Sequence, residues 1–217
     1  MNKPAALPPA RVVTVSATYG ASGSVIAPRL AAALGLGFAD RAVSSSAAVA
    51  AMENPSAEER AAAPPSRWLT SLAKLASVVP GVPTPDTSVS EPANDMRAEG
   101  ERQVAAAVAS GPVLILGRAA ALVLADHPSA FHIRLDGPPE ARIARACEIE
   151  HIDVGESRRR CEAADRLRST FVRRLYNRDP ADASIYHIVL DSTAFATDDC
   201  VALLAAAADA FWSTAEE

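Results

Sequence analysis

The sequence predicts an α/β protein, with a central parallel sheet of five short strands and helices packed on both of its faces. Three observations predict it. β-branched or apolar runs alternate with segments of helical spacing along most of the chain, giving strands near 11–16, 36–39, 113–116, 130–135 and 186–190. The third run, Val-Leu-Ile-Leu at 113–116, is apolar at every position, as a strand covered on both faces must be. The first run leads straight into a turn of small residues and then a helix, RVVTVSATYGASGSVIAPRLAAAL at 11–34.

That opening segment organises the rest. Residues 11–16 suit a buried strand, Tyr19-Gly-Ala-Ser-Gly-Ser24 a tight turn, and residues 25–34 a helix. Strand, glycine turn and helix in this order make a phosphate cradle. Glycines let the backbone come close to an anion, and the first free amides of the helix point at it. Gly20, Ala21, Ser22, Gly23 and Ser24 are the candidate cradle residues. The loop departs from the pattern Gly-x-x-x-x-Gly-Lys-Ser/Thr. With Gly23 as its last glycine, Thr18 stands at the first glycine and Ser24 at the lysine. With Gly20 as the middle glycine of Gly-x-x-Gly-x-Gly-Lys, Gly23 takes the lysine position. The only lysines of the chain are Lys3 and Lys74, both remote in sequence. A lysine there neutralises the β- and γ-phosphates, so either an arginine substitutes or transfer is slow or absent. The alternative is a turn that binds nothing.

The remaining elements follow in order. Residues 1–10 read as a loose tail. Gly35 ends the first helix, and Asp40 and Arg41 fall at the carboxyl end of the short second strand, where open α/β sheets bind ligands; a cap and a surface charge are the plainer reading. Residues 42–92 form an insertion: alanine-rich helices over 42–63, a helix over 67–79 with Trp68 as a packing anchor, and a Pro/Ser/Thr-rich loop over 80–92. It can cover a substrate or pair with a second copy in a homodimer. A helix over 93–109 stops at Gly111-Pro112, and Arg118 follows directly on the third strand, able to reach the cleft above the sheet. A short helix over 119–125 precedes the fourth strand. Asp136-Gly-Pro-Pro139 then opens a helix with proline in its first turn and with Arg142 and Arg145 on one face. Residues 156–178 hold eight arginines interspersed with Glu156, Glu162 and Asp165, which reads as a salt-bridged helical hairpin spanning 150–180. A helix over 198–212 closes the chain.

Bulk properties exclude several classes. Net charge is −5, and no aromatic platform interrupts the arginines, which argues against nucleic acid. Arginine suits bidentate phosphate contacts, although an Ala- and Arg-rich, Lys-poor chain equally reflects a GC-rich genome. Cys147, Cys161 and Cys200 show no Cys-x-x-Cys spacing, so neither a disulfide framework nor a metal site is expected. Three prolines in MNKPAALPPA argue against a signal peptide, and Gly111-Pro112 with Arg118 breaks the one long apolar stretch, so no membrane span is expected. The expected location is the cytoplasm.

The ordered pieces Tyr19-Gly-Ala-Ser-Gly23, Phe38-Ala-Asp-Arg41, Leu116-Gly-Arg118, Glu140-Ala-Arg142 with Arg145, Asp165-Arg-Leu-Arg168 and Ile188-Val-Leu-Asp-Ser-Thr193 resemble the cytidylate kinase-like family of nucleoside monophosphate kinases. The resemblance runs over most of 11–212 and is weakest at 42–92. It implies a P-loop NTPase-type three-layer α/β/α domain over 11–217, with a central parallel five-stranded sheet, an acceptor-side helical insertion and an arginine-rich lid. It implies ATP with Mg2+ as cofactors and transfer of a phosphoryl group to CMP or dCMP. Gly20 to Ser24 would hold the donor phosphates, with Arg142 and Arg145 near the donor base and phosphates. Asp40, Arg41 and Arg118 would face the acceptor, and Asp165 and Arg168 would belong to the lid, Arg168 neutralising the transferring group. Two departures stand out: Leu116 where the family's cytidylate kinases carry an aspartate, and Cys161 where they carry a lid arginine. With the missing lysine, they keep two alternatives open: a degenerate, non-catalytic nucleotide-binding protein acting through a partner or dimer, and a kinase of another small molecule.

Overall fold

The computed structural model describes residues 10–40 and 91–215, with side chains over 10–40 and 97–214. Arg41, Trp68, the expected helices over 42–63 and 67–79 and nearly all of the tail lie outside the described residues. The elements are β1 (Val12–Ala17), α1 (Gly23–Ala33), β2 (Gly37–Ala39), α2 (Glu91–Ala109), β3 (Val113–Leu116), α3 (Ala120–Val123), β4 (Ala130–Asp136), α4 (Pro139–Glu150), α5 (Val154–Tyr176), a 3₁₀ turn at Ala183–Ile185, β5 (Ile188–Asp191) and α6 (Thr197–Ala215). The five strands are all parallel in the order β2-β3-β1-β4-β5, so β1 is central and the loop that follows it opens at the middle of the sheet.

Strand alternation separates two unlike faces. Val13, Val15 and Ala17 of β1 join Leu114, Leu116, Phe131, Ile133 and Leu135 on one side, where α1 and α6 cover them with Ile26, Leu30, Leu204 and Trp212. Leu116, at the position where an aspartate was looked for, is part of this apolar packing and offers no polar group to a ligand. The other face carries Val12, Val113 and Ile115 against α2 and α3, but also Thr14, His132, Arg134 and Asp136. Thr14 Oγ1 lies 2.8 Å from His132 Nδ1, directly across the β1–β4 ladder.

Residues 154–176 are one uninterrupted helix, which corrects the expected hairpin over 150–180. The hairpin is made instead by α4 and α5, packed on each other across the short link at residues 151–153. Asp153 caps α5 by accepting from the Glu156 amide at 3.0 Å, and Arg173 and Arg174 in its last turn match the negative end of the helix dipole. No helix among the described residues is long and apolar enough to cross a membrane. All three cysteines are free thiols.

Candidate functional site

The loop after β1 ties four of its carbonyls back into the protein and leaves the first amides of α1 open. The Thr18 carbonyl accepts from the Ala21 amide at 3.2 Å, that of Tyr19 from Arg142 Nη1 at 3.1 Å, and that of Ala21 from the Ser192 hydroxyl at 2.8 Å. The Ser22 carbonyl accepts from Val25 and Ile26, both at 2.9 Å. Oxygens that would repel an anion are thereby held in the protein. Gly23 and Ser24 start α1, where helix geometry leaves their amides without an intrahelical acceptor, and no other backbone acceptor meets them among the described residues. Two glycines are required. Gly20 has φ +78° and sits so close to α4 that a Cβ would stand 2.2 Å from the Arg142 carbonyl oxygen, and at Gly23 a Cβ would stand 2.3 Å from that of Ala17. Ser22 takes a left-handed φ of 56° to turn the chain into α1, so the helix begins two residues before the spacing of apolar side chains suggested.

Arginines flank this loop on both sides. Toward β3, Arg118 donates Nε to the Asp40 carbonyl at 2.9 Å and Nη1 to Gln103 of α2. Asp40 and Arg118 thus share one corner, and Arg41 next to them lies outside the described residues. Gly117, Arg118 and Ala119 all have positive φ, at 76°, 59° and 52°, a left-handed run that costs backbone energy at two non-glycine positions. Toward β4, a cleft of about 170 Å³ is lined by Thr18, Asp136, Arg142, Asp165, Arg168 and Ser169, among others. With neighbouring strands about 4.8 Å apart, the two arginine sites lie one strand to either side of the loop.

Arg142 is buried and fully engaged with protein. It donates to the Gly137 carbonyl at 3.0 Å, to the Tyr19 carbonyl, and to Asp165 Oδ2 at 2.8 Å. Arg145 holds the segment after β5, donating to the Ser192 carbonyl at 2.8 Å and to those of Thr193 and Phe195. Both arginines expected beside the donor therefore meet protein carbonyls and a carboxylate here. Asp165 Oδ1 is buried and has no hydrogen-bond partner. Cys161, in place of a lid arginine, is buried with Tyr19, Ile143 and Ala164 between α4 and α5, and that burial pushes its thiol upward. The Tyr19 side chain enters the same cluster. Burial, with Glu150 adding to it, raises its phenol well above the ordinary value.

Three contributors were missed in sequence. Buried Arg134 and Thr18 form a set with half-buried Asp136: Thr18 Oγ1 donates to Asp136 Oδ1 at 2.9 Å, and Arg134 donates Nε and Nη2 to Asp136 Oδ2 at 3.0 and 2.6 Å. Burial pulls the Asp136 carboxyl upward, but Arg134, the Gly137 amide and Thr18 together hold it below its ordinary value. A signal existed. His132, Arg134 and Asp136 alternate along an otherwise apolar strand, which places all three on one face.

A parallel sheet of this order, with an amide-lined loop at the end of its central strand and arginines on both flanks, defines a P-loop kinase-type α/β protein. The chain matches the model of the cytidylate kinase-like family over residues 12–194, and it belongs to that family. It is 34% identical over 131 residues to a cytidylate kinase of Methanopyrus kandleri (strain AV19), the match covering 57% of this chain and 68% of the relative. It also superposes on an uncharacterized protein from Eubacterium ventriosum ATCC 27560 with a TM-score of 0.58 at 15% identity, over 92% of this chain and 98% of that one, a likeness of fold alone. The family sets the class of chemistry, phosphoryl transfer by a nucleotide or small-molecule kinase.

Proposed function

We propose that the protein transfers the γ-phosphoryl group of ATP to a nucleoside monophosphate, CMP or dCMP. The observation that carries this reading is the loop itself, its carbonyls tied back and its first helical amides open, between Arg118 on one side and Asp165 with Arg168 on the other. An oxygen of the acceptor phosphate attacks the γ-phosphorus in line, the bond to the β–γ bridging oxygen breaks, and ADP leaves. Such a transfer needs placement and charge neutralisation more than a reactive side chain. The amides of Gly23 and Ser24 receive the donor phosphates. Arg118, at the corner shared with Asp40, orients the acceptor, and Arg168, from α5, meets the transferring group. Guanidinium groups so placed do what a loop lysine does in related sites.

A magnesium ion would be held here chiefly by phosphate oxygens and water. Asp136, the acid beside the loop, spends both oxygens on Thr18, Gly137 and Arg134, and no group of His, Cys, Asp or Glu among the described residues is arranged to hold a metal. Bound with ATP, magnesium would neutralise the β- and γ-phosphates.

The absent lysine and buried Cys161 favour a second reading, a nucleotide binder without turnover. A coupled ADP-release assay over a panel of monophosphates, with calorimetric binding of ATP and CMP, separates the two. Turnover with CMP or dCMP that falls ~10³-fold in Arg118→Ala and Arg168→Ala is expected. Binding without turnover on any monophosphate would establish the binder. Turnover confined to another phosphate acceptor would establish a kinase of a different small molecule. A homodimer and a cytoplasmic location complete the proposal; sedimentation and fractionation test them.

A further inference from the structure

Two buried arginines lie at one carboxylate; Arg142 continues to α5 and Arg134 to the segment just after it. Arg134 donates twice to Asp136 and once to the Pro180 carbonyl, just beyond the end of α5. Arg142 lies 3.8 Å from Asp136 Oδ1 and donates to Asp165 in the middle of α5. Both paths return to the phosphate loop, through the Thr18 hydroxyl on Asp136 and through the Tyr19 carbonyl on Arg142. Arg134 and Arg142 are 7% and 5% exposed, so both guanidinium groups are held by protein partners, while Asp136 and Asp165 stay half-buried at the cleft. The loop is therefore joined to α5 at Asp165 and to the segment just beyond α5 at Pro180, through directional groups that keep their partners only in one relative position.

We propose that Asp136 is a positioning residue which, through Arg134 and Arg142, keeps the α5 face bearing Asp165 and Arg168 in register with the phosphate loop, so that loop and helix move together. The functional half of this rests on the phosphotransfer reading above; the mechanical half does not. Loosening the loop end of the network loosens α5, and anything that settles the loop settles α5 with it.

Amide hydrogen exchange tests the mechanical half without a ligand. Thr18→Val removes one donor hydroxyl and keeps the side-chain volume. It is expected to speed exchange at residues 161–169 at least tenfold while residues 200–212 of α6 stay within threefold of the parent. Exchange at 161–169 within threefold of the parent overturns the proposal. Adding ATP with Mg2+ to the parent should protect residues 18–25 and 161–169 together; protection of the loop alone also overturns it. If ATP protects neither segment while Thr18→Val still loosens α5, the linkage stands and the nucleotide reading falls. Kinetics tests the functional half. Asp136→Asn alone leaves Arg134 a buried charge without its carboxylate and can fail to fold, so the paired variant Arg134→Met/Asp136→Asn is used. It should unfold at close to the parent's urea midpoint, with kcat lowered at least thirtyfold and the KM for ATP within threefold. Recovery of kcat along with stability would reduce the network to a purely structural role.

Discussion

On one face of the sheet, α1 and α6 press Ile26, Leu30, Leu204 and Trp212 onto Val13, Val15, Ile133 and Leu135, with no charged group among them. On the other face the same strands present Thr14, His132, Arg134 and Asp136, and α5 crosses above the last two. The first contact is non-directional and gains stability with area buried. The second is made of bonds that require particular angles and partners. The difference teaches that one face is apolar throughout, while the other is apolar only toward β3 and carries a polar, conformationally demanding site toward β4. Buried charge is costly on balance, and it is placed where it orders the cleft.

Three substitutions or conditions press on that contrast, in decreasing size of effect. Leu30→Ala on the apolar face should cost about 3 kcal/mol, read as a lower urea midpoint, because it empties a fully buried site. Nucleotide affinity of the folded fraction should stay within threefold; a larger loss would mean that the two faces are not separate. Next is acid. Burial first, then the nearby His187, pushes His132 down to about 4, and His187, stacked at 5.0 Å, accepts the His132 amide on Nδ1 at 2.9 Å. The unfolded chain takes up protons near the ordinary histidine value of 6.5, and the folded chain resists them. The stability contributed by the neutral ring is thus complete above that value and is lost as pH falls from 6.5 toward about 4. Urea midpoints at pH 7.5 and 5 should show the drop, and His132→Phe should shrink it. An equal drop in His132→Phe would place the titration elsewhere. The smallest effect is at the rim. Ala119→Gly relieves a left-handed φ of 52° and should raise stability by roughly 0.5 kcal/mol after the entropy cost of glycine. An accompanying fall in turnover would show that the strain helps to hold Arg118.

Much of the fold was legible because its signals are local. Val113–Leu116 is apolar at each position and is a strand buried on both faces. Pro139 opens α4 as the first helical residue, and Gly35, at φ +65°, follows the end of α1. The arginine-rich stretch was legible as helix but not as a single one, because charge patterning alone does not show where a helix would fold back. The spacing of Arg142 and Arg145 puts them on one helix face, and the family resemblance implies a place beside the donor. What that face meets, the Tyr19 carbonyl and the segment after β5, comes from residues far away in the chain.

From its order of residues alone, this chain determined strand, loop and helix at 11–34 and the parallel class of its sheet. Those are properties of neighbours in sequence, set by backbone geometry and the spacing of apolar side chains. Only the tertiary structure decided that Arg142 and Arg145 grip backbone, that Cys161 is packing, and that Arg134, Asp136 and Thr18 stand together. Those contacts join residues from 47 to 123 positions apart or depend on which strand face a helix covers, and no local preference encodes either.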